Sequence, residues 1–158
     1  MTSQSQSFVV RPCRMRDVSR IGALLEKSWH DTYDRILGRP QAIRMGRRAY
    51  SKINLGILIA HSIWPFHRWT VLVAAQDREI IGCVVADRDD EVAEIILYGL
   101  YVDPELKRKG IGSALLDAVI AKYPHAKAFR LEVLRDNTAA ITWYKASIPV
   151  PLAQAGAC

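Results

Sequence analysis

The 158-residue chain reads as an α+β domain with a mixed, mostly antiparallel sheet, one parallel strand pair, and helices flanking it. Between Thr70 and Val102, three β-rich runs follow one another with only short polar turns between them, as in an antiparallel meander. Around Gly110 the order strand, helix, strand demands a parallel crossover. The composition, 50% apolar and 24% charged, is that of one soluble globular domain with a real core and excludes collagen, coiled-coil and wholly disordered chains.

Phe8, Val9 and Val10 form a short β-type run that ends at Pro12. Asp17 then stands as an N-cap before Val18, Ile21, Leu25 and Trp29, which recur at helical spacing. The stretch from Pro40 to Trp64 is cut by Gly46, Gly56 and Pro65 and has poor periodicity, so it reads as a variable, partly helical insert. Val71, Val73 and Ala75 alternate, Gln76 to Arg78 form a turn, and Ile80 to Ala86 return as the second arm of a hairpin. After an acidic turn at Asp87 to Glu91, Val92 to Val102 makes a long strand stopped by Asp103-Pro104. Ile111, Ala114, Leu115, Ala118 and Val119 mark a helix that ends at Pro124; Phe129, Leu131 and Val133 alternate as another strand, and a last helix spans about Thr138 to Lys145. No internal repeat or second domain is seen.

The net charge of +6 raises the question of nucleic acid, but the basic residues are scattered except at Lys107, Arg108 and Lys109, which suits a small anionic ligand better. Cys13, Cys83 and Cys158 are odd in number and lack metal-type spacing, so the expectation is a reduced, cytoplasmic compartment and no bound metal. Met1 to Ser7 has no apolar leader core, and the longest apolar run, Ile53 to Trp64, is interrupted by Asn54, Gly56, His61 and Ser62, so neither secretion nor a membrane span is expected.

The stretch with most chemical content is Lys107-Arg108-Lys109-Gly110-Ile111-Gly112-Ser113, which joins the long strand to an amphipathic helix. Glycines there let the backbone approach a ligand, and the amides at a helix start can hold a phosphate or pyrophosphate. A dinucleotide fingerprint would need a third glycine where Leu115 stands, and the P-loop pattern is absent. A solvated basic turn with a helix cap fits the stretch about as well.

Asp103 to Leu116 as a whole resembles the signature of the GNAT superfamily of acyl-CoA-dependent N-acetyltransferases, [Q/R]-x-x-G-x-[G/A], with Lys107 in place of the usual Gln or Arg. The resemblance implies that Lys107, Arg108, Lys109, Gly110, Ile111, Gly112 and Ser113 hold the pyrophosphate of acetyl-CoA. It further implies that Leu100, Tyr101 and Val102 bind the pantetheine arm through their main chain, at a sheet splayed between the fourth and fifth strands. Leu131-Glu132-Val133 is similar to the family's fifth strand, and Asn137-x-x-Ala140-x-x-Trp143-Tyr144 to its N-x-x-A-x-x-aromatic-Tyr element. Asn137 would then contact the pantetheine or acyl region and Tyr144 would protonate the departing thiolate; taken alone, the two read as an N-cap and a packed aromatic.

By the same resemblance Trp29 and Tyr33 lie on the acceptor side, and the reaction is direct acetyl transfer to a primary amine of a small molecule, peptide or protein. A catalytically silent acyl-CoA-binding module is the alternative. The family's usual fourth-strand carboxylate position holds Ile96, so Glu94, two residues upstream on the same strand face, is the substitute candidate for the base, against the plain alternative of a surface glutamate. The resemblance covers roughly Phe8 to Lys145, and the domain is read as residues 1–145. Residues 146–158, with Pro149 and Pro151, form an atypical tail in which the family's last strands are shortened or missing. The sheet edge left after Val133 would have to be covered by homodimerisation or by the tail itself.

Overall fold

In the computed structural model, which describes residues 7–49, 51–63, 69–149 and 151–152, five strands form one sheet in sequence order. They are β1 (Val9–Pro12), β2 (Thr70–Gln76), β3 (Glu79–Asp89), β4 (Glu94–Val102) and β5 (Ala128–Leu131). Pairing is antiparallel from β1 to β4 and parallel between β4 and β5, as expected of a meander followed by a crossover. Helices α1 (Val18–Leu37), α2 (Arg39–Ala49) and α3 (Lys52–Ile63) intervene between β1 and β2, α4 (Ile111–Lys122) forms the crossover, and α5 (Thr138–Ser147) follows β5. Met1, Trp64, Pro65 and Cys158 lie outside the described residues, as do Val150 and residues 153–158 of the tail.

The hydrophobic pattern explains the layering. Residues Ile80 to Asp87 of β3 are buried without interruption because both faces of that strand are covered. On one side Leu72, Ala74, Val84 and Ala86 pack with Ile111, Leu115 and Val119 of α4 and with Tyr144 of α5. On the other, Val71, Val73, Cys83 and Val85 meet Ile21, Leu24 and Leu25 of α1 and Leu55 and Ile59 of α3. The insert read as partly helical is thus two helices, and Leu55 and Ile59, one turn apart, put the second of them into the core.

Asp17 departs from its expected role. It makes no side-chain cap on α1; its carboxylate turns back to accept from the Arg14 amide at 2.8 Å and from Arg11 Nη1 at 2.7 Å. A 3-10 turn at Met15–Asp17 precedes the helix and puts Asp17 itself in helical geometry, with φ −83° and ψ −15°, so its side chain serves the turn instead.

Two register slips shape the sheet. Ala74 pairs with Gly82 and Ala75 with Ile80, which makes Ile81 an extra residue on β3. Val85 pairs with Gly99 and Ala86 with Leu97, which makes Tyr98 an extra residue on β4. A bulge adds local twist and bends its strand, and the ladder between β4 and β5 runs only from Glu94–Ala128 to Leu97–Leu131, ending where Tyr98 begins. Beyond that point the two strands part. The edge of β5 is touched by the tail: the Phe129 amide donates to the Pro151 carbonyl at 3.0 Å, Phe129 and Leu152 form an isolated parallel bridge, and Leu152 packs on the core.

Gly82 sets how closely the start of α4 approaches the sheet, since a Cβ there would lie 2.8 Å from Ile111 Cγ2 and 2.9 Å from Leu115 Cδ1. Replacing it with valine is expected to lower stability by roughly 1–3 kcal/mol, the usual effect of overpacking. A urea titration followed by circular dichroism checks this, and an unchanged midpoint would show that α4 is not seated on Gly82.

Candidate active site

Where β4 and β5 part, an open cleft of about 650 Å³ lies between them. One wall is the second half of β4, Tyr98 to Val102, whose far edge has no strand partner beyond Leu97. In a strand the main-chain groups alternate between edges, so this half of β4 presents N–H and C=O groups to the cleft. The opposite wall comes from Glu132, Val133 and Asn137 after β5 and from Ala140, Trp143 and Tyr144 of α5. Ser28, Asp31, Tyr33 and Arg35 of α1 complete the lining, with Asp31 beside the loop that leads into α4.

One end is the loop leading into α4. Arg108 and Gly110 both hold positive φ, +64° and +80°, a left-handed geometry that is strained for arginine and open to glycine. Such a turn directs successive amides to one side. Gly110 is the N-cap of α4 and offers no side-chain cap, and the first intrahelical bond is from the Ala114 amide to the Gly110 carbonyl at 2.9 Å. The amides of Ile111, Gly112 and Ser113 therefore have no acceptor within the helix, at its positive dipole end. A Cβ at Gly110 would meet nothing within 4 Å, and one at Gly112 would come no nearer than 3.4 Å to Trp143, so the space above the helix start is clear. Together these groups suit a polyanion.

Of the residues expected from sequence, Leu100, Tyr101, Val102, Lys107, Arg108, Gly110, Ile111, Gly112, Ser113, Asn137, Tyr144 and Tyr33 all border the cleft. Lys109, Trp29 and Glu94 do not. Trp29 stands behind Tyr33, with ring centroids 4.3 Å apart, and its Nε1 donates to the Ala42 carbonyl at 2.9 Å, so it braces α1 against α2. Glu94 opens β4 at the end away from the cleft, roughly 20 Å along the strand from Leu100. It is ion-paired there with Arg130 of β5 at 2.5 Å, is partly buried, and does not border the cleft, where its reading as a base would need it. Lys107 is also engaged: its Nζ lies 2.5 Å from Asp31 of α1. Asn137 serves as the N-cap of α5, accepting from the Ala140 amide at 3.3 Å, while it also faces the cleft.

Two features of the cleft carried no usable sequence signal. Asp31, Glu132 and Asp136 are its carboxylates; Asp31 and Glu132 fall in stretches that the resemblance covers, but only spatial convergence in the cleft gives the three a shared place. Gly99 is required because the Tyr101 ring lies over it: a Cβ there would fall 2.5 Å from Tyr101 Cε2. Burial raises the Tyr101 phenol pKa well above its ordinary value, with lesser contributions from Tyr33 and other neighbours. The Tyr144 phenol is pushed up to about 12, chiefly by burial and secondarily by Tyr33. Cys83 is fully buried, does not border the cleft, and burial pushes its thiol up as well, which removes it as a nucleophile.

The protonated Tyr144 phenol is favoured by the fold, so its contribution to stability is complete below the unfolded value near 10 and is lost as pH rises through about 12. Tyr144→Phe is expected to flatten the alkaline fall of unfolding free energy between those values, with Tyr101 supplying a residual slope. Urea unfolding at stepped pH measures it; an identical slope in the variant would mean that the phenol is solvated.

The sequence profile of the acetyltransferase (GNAT) family matches residues 43–147. The uncharacterized protein YdhI of Bacillus subtilis (strain 168) is 39% identical over 69 residues, 42% of this chain, and the match spans about two fifths, 41%, of that relative's length. Among solved structures, the PaiA N-acetyltransferase of Thermoplasma acidophilum, determined in complex with coenzyme A, superposes with a TM-score of 0.79 at 26% identity over 89% of this chain and 87% of that one. The ribosomal-protein-S18-alanine N-acetyltransferase of Escherichia coli shares the fold, with a TM-score of 0.63 at 17% identity over 89% of this chain and 76% of that one.

Proposed function

The chain belongs to the acetyltransferase (GNAT) family, and from that premise we propose that it transfers an acetyl group from acetyl-CoA directly to a primary amine of a small molecule, peptide or protein. The observation that carries the reading is the cleft at the parting of β4 and β5, with the uncapped start of α4 at one end and a buried, protonated phenol in its wall. Acetyl-CoA supplies the acyl thioester. The donors available to its pyrophosphate are the amides of Arg108 to Ser113, and the unpaired edge at Leu100 to Val102 offers main-chain partners to the pantetheine arm. Asn137 keeps its side-chain amide N–H groups for the same arm while its oxygen caps α5.

Tyr144 holds a proton at Oη across the physiological range and is the group in this wall suited to donate it to a departing sulfur. The amine must lose its own proton. With Glu94 outside the cleft, the carboxylates that border it and can take the proton through water are Glu132, Asp136 and Asp31, the last of them paired with Lys107 in the free protein. Tyr33, braced by Trp29, stands on the acceptor side. No helix among the described residues is long and apolar enough to cross a membrane. The free, buried Cys13 and Cys83 suit a reducing compartment, which supports a cytoplasmic location. The absence of a carboxylate at Ile96 favours the second reading, a silent acyl-CoA-binding module. Thiol release over a broad panel of primary amines decides between them, since steady turnover with any amine excludes the silent module.

At about a hundred times its dissociation constant, acetyl-CoA is expected to stabilise the protein by roughly 2.7 kcal/mol, seen as a rise in melting temperature. Gly110→Val, which forces a β-branched residue into left-handed geometry at φ +80°, should remove most of that rise. A wild-type melt indifferent to saturating acetyl-CoA would overturn the cosubstrate.

Tyr144→Phe keeps the ring and deletes the donor, so turnover is expected to fall roughly ten- to a thousandfold while acetyl-CoA affinity changes little. Unchanged turnover in the thiol-release assay would remove Tyr144 from the chemistry.

A further inference from the structure

The ion pair between Asp31 and Lys107 joins α1 to the loop that leads into α4, and both residues line the cleft. Asp31 sits on α1, two residues before Tyr33, and Lys107 opens the loop that leads into α4. Their side chains are 35% and 44% exposed, so the 2.5 Å contact is partly screened and open to exchange. Lysine suits exchange, because its ammonium is a compact charge on a flexible stem and can swing between acceptors without the planar match that arginine requires. The contact is not needed to dock the helix. One turn earlier on the same face of α1, Lys27 reaches Asp103 at 2.9 Å and Glu105 at 3.1 Å, which ties α1 to the end of β4 independently. Asp31 and Lys107 thus form the outer rung of a two-rung ladder, and it is the rung that faces the cleft.

We propose that this pair is a coupling switch: phosphate arriving at the loop draws Lys107 away from Asp31, and the carboxylate so released becomes the recognition group for a cationic amine acceptor. The inference rests on the acetyl-CoA reading above. In the free protein the positive charge of Lys107 is neutralised on the acceptor side, and a cation entering there meets a carboxylate already satisfied. With a polyanion bound, Lys107 has a stronger partner beside the α4 amides, and the acceptor end of the cleft gains one unit of negative charge. Cofactor and acceptor then bind with positive cooperativity, and by linkage each strengthens the other by the same factor.

Titration calorimetry with acetyl-CoA at low ionic strength tests the first half on the full chain. Asp31→Asn is expected to tighten binding about two- to fivefold, the range of a partly exposed pair that no longer competes. Lys107→Gln should weaken binding, and in that background Asp31→Asn should give no more tightening than Asp136→Asn, which removes a cleft carboxylate outside the pair and reports the general field. Equal tightening by Asp31→Asn with and without Lys107 would overturn the exchange. The core contacts of Ile21, Leu24 and Leu25 keep α1 docked in every variant, and coincident circular-dichroism melts verify it.

The second half is read with 1,4-diaminobutane as a dicationic probe. Saturating CoA should tighten its binding to the wild type by about fivefold, the lower end of usual coupling, and Asp31→Asn should erase that gain. Diamine binding that is the same with and without CoA would overturn the acceptor role. Failure of the wild type to bind acetyl-CoA at all would overturn the cosubstrate reading itself, and it is seen in the first titration before any variant is compared.

Discussion

The extra residue at Tyr98 is the constraint on which the site depends. A parallel pair can persist only while both strands keep a common twist, and the bulge bends β4 one residue after its last pairing with β5. The parting leaves main-chain groups of Leu100 to Val102 without a strand partner, which would be unfavourable in a closed core and is tolerated because the cleft is open to solvent or ligand. Everything else in the site is arranged around that gap. The tight seat of α4 on Gly82 sets the height of the helix start above the sheet, and α5 brings Tyr144 against the same core cluster as α4.

Charge and burial are divided along the cleft. At the loop end the groups are exposed and positive, and backbone geometry does the aiming: Arg108 and Gly110 are left-handed, and Gly110 leaves the helix start without a side-chain cap. Deeper in, the phenols of Tyr101 and Tyr144 are buried enough that ionising either is unfavourable, so they remain neutral proton donors. An anion is therefore favoured at one end and a proton is retained at the other, within a single pocket. Helix α1 is seated by Ile21, Leu24 and Leu25 in the core, and contacts distant in sequence, Lys27 to Asp103 and Asp31 to Lys107, bring its charged face against the loop.

The tail shows how an edge can be managed with few bonds. Pro149 and Pro151 cannot donate to a ladder, yet the Pro151 carbonyl accepts from Phe129 and Leu152 adds apolar cover, so part of the β5 edge is occupied without a regular strand.

The sequence by itself determined the elements whose signals are local. The spacing of Ile111, Leu115 and Val119 before Pro124 specifies α4, alternation with short turns specifies the meander, and Gly110 and Gly112 mark the loop where backbone must be bare. Each of these depends on neighbours within a turn or a hairpin. Tertiary structure alone decided the rest. Tyr98 becomes a bulge only through its register against Val85 and Ala86, and Glu94 is removed from the site by the length of β4 and by Arg130 across the parallel ladder. Asp31 and Lys107, 76 residues apart, meet because two separate faces of the core seat α1 and the β4–α4 loop side by side. Periodicity records which side of an element is apolar; which residues of different elements then face one another is set by packing, and that is where the site's charges are paired.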